Sequence, residues 1–330
     1  MKPDRKLLIS GVILAIVFCV LALGELAFGS VSLSLSRIIG GLTGADKTAG
    51  IIIIDLRLPR LFAAILAGAG LAVAGLLLQT VTGNELCAPS IIGVNSGAGL
   101  FVMAFICLFP MLWRWLPFAA FLGALTATGI IIFTVRFENG IERKSSLILV
   151  GVAVSSVMSA GISFLSVRFP EALPSYTAFS VGGFSGITMN MLPIPAIIIT
   201  LGTIAAIIFA PKIGLLRLGD ETAATLGVNV KATRSLAVII SSALCAAVVS
   251  FAGLLGFVGL VVPNIIRMLF GSRLRVNIIF SVGFGAALTL FSDILGRTLF
   301  APGELPAGII MAFIGAPFFI YLIVRKRRHV

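Results

Sequence analysis

Histidine is nearly missing from this chain. His329, in the basic tail, is the only one, so neither a His-centred catalytic set nor a histidine metal site can be assembled. Acids are scarce as well, with 12 Asp and Glu in 330 residues. Only Glu25 and Asp293 fall at membrane depth, both toward the outer ends of apolar runs. Proton-driven pumps carry carboxylates or imidazoles at the midplane, and no such array occurs here. Cys19, Cys87, Cys107 and Cys245 lie in or beside apolar segments, at spacings that fit neither a disulfide framework nor a zinc site. No GxxxxGK[ST] loop is present. We therefore expect no catalytic residue and no metal in this chain. Any uphill work must be driven by another chain or by an ion gradient.

What is present is apolar. Hydrophobic residues make up 59% of the sequence and charged ones 11%, against roughly 25% charged in soluble domains. Continuous runs occupy about 7–28, 58–80, 91–109, 115–135, 146–167, 191–210, 234–256, 257–270, 276–298 and 306–324. One crossing takes roughly 20 apolar residues, and a β-barrel would alternate polar with apolar residues instead of running continuously. The expectation is an all-α polytopic membrane protein with about ten transmembrane helices, forming a single transmembrane domain over 1–330. The run 257–270 is short and holds Pro263, which marks an interruption or a re-entrant piece. A faint internal echo pairs Pro89-Ser90-Ile91-Ile92 with Pro263-Asn264-Ile265-Ile266.

The net charge of +12 reads as topology and not as nucleic-acid binding. With ten crossings both termini are cytoplasmic, together with the loops near 136–144, 211–234 and 271–275. The outside then keeps seven cations of 24: Arg37, Lys47, Arg57, Arg60, Arg114, Arg168 and Arg297. The run 7–28 exceeds the apolar core of a cleaved signal peptide, which favours a retained helix.

Three features stand out. The helix opened by Arg57 and Arg60 carries small residues at Ala64, Ala67, Gly68, Ala72 and Gly75, which permit close backbone approach in lipid. It ends in Gln79, a polar side chain that needs a partner or water. Next, LGDETAATLGVNV (218–230) encodes a helix of about two turns, with Asp220 as N-cap and Gly227 at the C-terminal end. Ala223 and Leu226 must pack either on the protein's own cytoplasmic face or on a soluble partner. Finally, Arg57, Arg60 and Arg297 gather on the outer side, either as solvated surface cations or as a site for an acidic protein. Asp293 and Arg297 are spaced for an ion pair on one helix face.

The stretches RLPRLFAAILAGAGLAVAGLLLQ (57–79), NELCAPSIIGVNSGA (84–98), LGDETAATLGVNV (218–230), GFVGLVVPNIIR (256–267) and ELPAGIIMAFIGAPFFIYL (304–322) resemble the FecCD family of ABC-transporter permeases. These are importers of iron chelates, haem and vitamin B12. The resemblance implies a BtuC-like type II ABC importer permease fold in the cell membrane, with a second permease chain as a homodimer partner. It implies two ATP-binding subunits, with ATP-Mg held there and no cofactor on this chain. They dock at Gly219, Asp220, Glu221, Ala223, Leu226 and Gly227. It implies an extracytoplasmic substrate-binding protein whose glutamates meet Arg57, Arg60 and Arg297. It places a cytoplasmic constriction at Asn84 and Leu86 with Ser145 and Ser146, beside Gln79. Glu85 and Asn264 depart from the family pattern, which has proline and histidine there. The expected cargo is a ferric siderophore or haem, with cobalamin as the alternative. An ion-coupled secondary transporter is the rival from another class.

Overall fold

The computed structural model describes residues 3–29, 33–89, 93–136 and 143–327. The described residues are helical with no strand. Long helices are α1 (Pro3–Ala27), α4 (Leu58–Thr82), α6 (Leu116–Arg136), α7 (Arg143–Arg168), α9 (Pro193–Leu215), α11 (Val230–Ala252), α13 (Leu274–Thr298) and α14 (Ala307–Arg327). Two apolar helices are shorter, α5 (Val94–Leu108) and α12 (Val258–Phe270). Eight helices are long and apolar enough to cross a membrane. With the two shorter ones they account for the ten apolar runs. Four small helices were not foreseen. They are α2 (Leu35–Leu42), α3 (Lys47–Ile51), α8 (Leu173–Val181) and the π-helical stretch Ile52–Arg57 that leads into α4. The segment 218–230 contains α10 (Asp220–Thr225).

Local signals for the unforeseen helices were in the chain. Asp46 caps α3 by accepting from the Ala49 amide at 3.0 Å, and Pro174 stands in the first turn of α8. Both helices are too short to show an apolar period, which is why the pattern passed over them.

The core is built around α4, which packs on α13, α11, α12 and α9. Its small residues have the role expected of them. A Cβ on Gly68 would lie 2.1 Å from the Gly285 carbonyl oxygen of α13, and one on Gly75 would lie 1.8 Å from that of Gly259 in α12. Backbones therefore touch without intervening side chains. Thr289 Oγ1 donates to the Ala64 carbonyl at 2.7 Å and Ser241 Oγ to that of Ala74 at 2.8 Å. Such interhelical bonds hold where apolar surface gives no drive toward association in lipid.

Pro263 does not break its helix. α12 runs through it. A proline leaves the carbonyl four residues back without its helical donor, which here is Gly259. Gln79 Nε2 donates to that oxygen at 3.2 Å, and Gln79 Oε1 accepts from Arg267 Nη2 at 2.8 Å. The partner Gln79 needed is thus another helix, and the side chain is buried. The outer flanks are bare by comparison: Val12 and Ile16 of α1, Leu149 and Val157 of α7, and Phe313 of α14 are all exposed apolar side chains.

Adding a methyl at Gly75 must push α4 and α12 apart. We expect Gly75→Ala to lower stability by about 1–3 kcal/mol. Gly129→Ala, where nothing lies within 4 Å, should be neutral or slightly stabilising. Thermal melts of the detergent-purified variants test this, and equal melting temperatures would contradict the close approach.

Candidate functional site

The two ends of α4 each carry a cluster of polar side chains. At the N-terminal end Arg60 forks onto Asp293 of α13, Nε to Oδ2 at 2.6 Å and Nη2 to Oδ1 at 2.9 Å. Its third nitrogen, Nη1, donates to Glu304 Oε2 at 2.7 Å. Arg297 pairs with Glu25 of α1 at 2.6 Å and with Asp293, one helical turn away, at 3.5 Å. Arg57 Nη1 donates to the Leu26 carbonyl. Glu25 and Asp293 are fully buried, and the three arginines are at most 9% exposed.

This corrects one expectation. Arg57, Arg60 and Arg297 do come together, but they are not solvated surface cations. Arg60 and Arg297 are neutralised by Glu25, Asp293 and Glu304 of the same chain. The sequence showed the Asp293–Arg297 spacing and flagged Glu25. It gave no signal for Glu304, which reaches Arg60 from the α13–α14 connection. Bidentate charged bonds of this kind are the strong ones, and they join α1, α4, α13 and the α13–α14 connection.

Arg60 and Glu304 also reach a cavity of about 1070 Å³. Its wall is mostly apolar and aromatic, with Phe105, Trp113 and Phe184, and it includes Glu171. Helix α8, the start of α6, the ends of α5 and α11 and the α13–α14 connection line it.

At the C-terminal end, Asn84 shapes the turn that follows α4. Its Oδ1 accepts from the Leu86 amide at 3.0 Å and its carbonyl from the Cys87 amide at 3.1 Å. Glu85 Oε1 pairs with Arg267 Nη1 at 2.8 Å, and the Glu85 carbonyl accepts from Asn264 Nδ2 at 3.0 Å. Arg217 donates to Thr80 Oγ1 at 3.0 Å and to the Ser272 carbonyl at 2.8 Å. Asn84, Leu86 and Gln79 are thus brought into one neighbourhood, and Gln79 is bonded to protein instead of facing open space. Ser145 and Ser146 fall in the first turn of α7, and their side chains lie outside the described residues.

The segment 218–230 folds as a short helix with a different cap from the expected one. Gly219, at φ +101°, is the N-cap. Asp220 occupies the first helical position, and its carboxylate accepts from Arg234 Nη2 at 2.7 and 2.9 Å. A buried guanidinium competes better for that carboxylate than the helix's own amides do. Gly227, at φ +81°, ends the helix as expected. Ala223 is fully buried while Glu221 is exposed, and Leu218 and Leu226 stand 58% and 57% exposed. Half of the apolar requirement is met inside the protein, and the other half faces out.

A multi-pass helical bundle with polar clusters at both ends is the build of a membrane transport protein, and sequence comparison narrows the class. The chain belongs to the FecCD transport family, matched over residues 13–325. It is 35% identical over 330 residues to the Fe(3+)-citrate import system permease protein YfmE of Bacillus subtilis, covering 99% of this chain and 98% of that one. It is 33% identical over 320 residues to the hemin transport system permease protein HmuU of Yersinia pestis, covering 95% of each. Its backbone superposes on a solved metal-chelate type ABC transporter in an inward-facing conformation. That match has a TM-score of 0.85 at 30% identity over 94% of this chain and 97% of that one.

Removing Asp293 strips Arg60 of two of its three bonds and leaves the buried cluster with one cation in excess. Asp293→Ala should cost about 3–5 kcal/mol. Arg37→Ala, which opens the exposed Arg37–Asp46 pair at 3.1 Å, should cost under about 1 kcal/mol. Paired thermal melts decide the point, and a difference below 1 kcal/mol would count against the cluster as a structural tie.

Proposed function

We propose that this chain is the membrane permease of an ABC importer for iron chelates, with a ferric siderophore or haem as cargo. Family membership over nearly the whole chain, shared with Fe(3+)-citrate and hemin permeases, carries the reading. Two copies of the chain form the path. Two ATP-binding subunits hold ATP-Mg and dock on Gly219, Asp220, Glu221, Ala223, Leu226 and Gly227. Both termini face the cytoplasm. A substrate-binding protein delivers the chelate outside. ATP binding draws the subunits together, α10 carries the motion into the bundle, and the path opens alternately to each side. Hydrolysis occurs on the partner, not here.

The exposed Leu218 and Leu226 support the docking role, since apolar side chains flanking a short helix fit a groove on a soluble partner. The constriction is formed by Asn84 and Leu86 with Ser145 and Ser146. On the outer face Arg57, Arg60 and Arg297 present no bare cations to the binding protein. An incoming carboxylate reaches Arg60 by taking the place of the partly exposed Glu304. The aromatic walls of the outer cavity, together with Glu171 and Glu304, favour a chelate with an apolar face over a polyanion such as ferric citrate.

Proteoliposomes holding the permease, its ATPase and its binding protein should take up haem or a ferric siderophore only with ATP. Uptake driven by an ion gradient without the ATPase would overturn this reading. Leu226→Asp should abolish co-purification of the ATPase by placing a charge in a desolvated contact. Full retention would remove α10 from the interface.

A further inference from the structure

Three polar contacts tie α12 to the C-terminal end of α4 and the turn after it. The Glu85 carboxylate holds Arg267 at 2.8 Å, and the Glu85 carbonyl accepts from Asn264 at 3.0 Å. The same Arg267 holds Gln79 at 2.8 Å. Asn264 and Arg267 project from adjacent turns of α12, so one helix grips both the end of α4 and the turn after it. Glu85 also attracts Arg217 and so offsets the repulsion between Arg217 and Arg267. Arg217 lies just before the docking segment and donates to Thr80 in the last turn of α4. Two positive side chains would push apart around this turn if the acid were missing.

The turn has reason to be held. Behind it sits Cys87, 1% exposed, whose burial pushes the thiol pKa up to about 11. The Glu85 and Arg267 side chains themselves are 46% and 19% exposed, so the contact is reached by water and can be broken without unfolding the core. A half-exposed ion pair alone is weak. Here it acts together with a backbone bond to the same residue.

We propose that Glu85, Arg267 and Asn264 form a latch that pins the turn 83–86 to α12 and so fixes where Asn84 and Leu86 stand at the mouth of the path. The proposal rests on the assignment of that turn to the constriction. The three side chains are positioning residues: they set where Asn84 and Leu86 stand and do not themselves need to touch cargo.

Cys87 is a built-in reporter. Maleimides react with the thiolate, so a closed turn hides the sulfur and also suppresses its reactive form. Wild-type protein, Glu85→Gln and Arg267→Gln are compared in inside-out vesicles with a membrane-impermeant maleimide, and alkylation of each cysteine is resolved by mass spectrometry. Both variants should label Cys87 about tenfold faster, equivalent to losing about 1.4 kcal/mol of closure. Cys245, 1% exposed in α11, should stay slow and so exclude general unfolding. About 1 M NaCl should speed Cys87 labelling in wild type and leave Glu85→Gln unchanged, since salt screens only an intact pair. Glu85→Gln alters an exposed carboxylate and preserves the fold even if Arg267→Gln does not. Cys87 rates within twofold of wild type in Glu85→Gln overturn the latch. Faster Cys87 labelling with uptake unchanged keeps the tie between the turn and α12 but overturns its role at the mouth of the path.

Discussion

The carbonyl oxygen of Gly259 organises the centre of the bundle. Pro263 takes away its helical donor, Gly75 leaves the space into which it projects, and Gln79 supplies the replacement hydrogen bond. An unsatisfied carbonyl in a membrane interior is costly, and a second helix meets the need at the point where the two backbones come closest. Arg267 then occupies the other end of the Gln79 amide. The contact between α4 and α12 is therefore fixed in register as well as in distance. The helices that pack on α4 are placed around a reference that cannot slide.

Charge is treated differently at the two ends of that central helix. At the N-terminal end, Glu25, Asp293 and the guanidinium groups are withdrawn from water and matched within the chain, with Glu304 partly exposed, so the cluster behaves as a structural tie among α1, α4, α13 and the loop that bears Glu304. At the C-terminal end, the pairs are partly wet and link a turn to its neighbours. A dry network resists change because each member strands another when it leaves. A wet one exchanges with solvent at little cost. The distribution puts the rigid tie at the Arg60 end of α4 and the exchangeable pairs at the end beside α10.

The sequence was most legible where one physical requirement acted alone. Apolar run length located the ten long or short apolar helices, and small residues on α4 marked the close packing, because lipid and van der Waals contact impose those patterns directly. Gly227 was read correctly because a left-handed turn favours a residue without Cβ. Reading failed where a distant residue decided the outcome. Asp220 looked like a helix cap until Arg234 claimed it. Gln79 called for a partner or water, and only the fold shows that the carbonyl freed by Pro263 is that partner. The outer arginines looked exposed because Glu304 lies 244 positions from Arg60 along the chain, and no local pattern joins them. Helices α2, α3 and α8 were passed over since two or three turns show no period.

The bond between Asp220 and Arg234 bears on mechanics. A helix of six residues does not keep its shape unaided in water. By tying its first residue to a buried guanidinium in α11, the chain lends α10 the stiffness of a bundle helix. In the docking role proposed for α10, a push on Leu226 reaches α11 through this pair instead of being absorbed by slack peptide. Without the pair the same segment would be a tether, able to hold a neighbour but unable to steer anything.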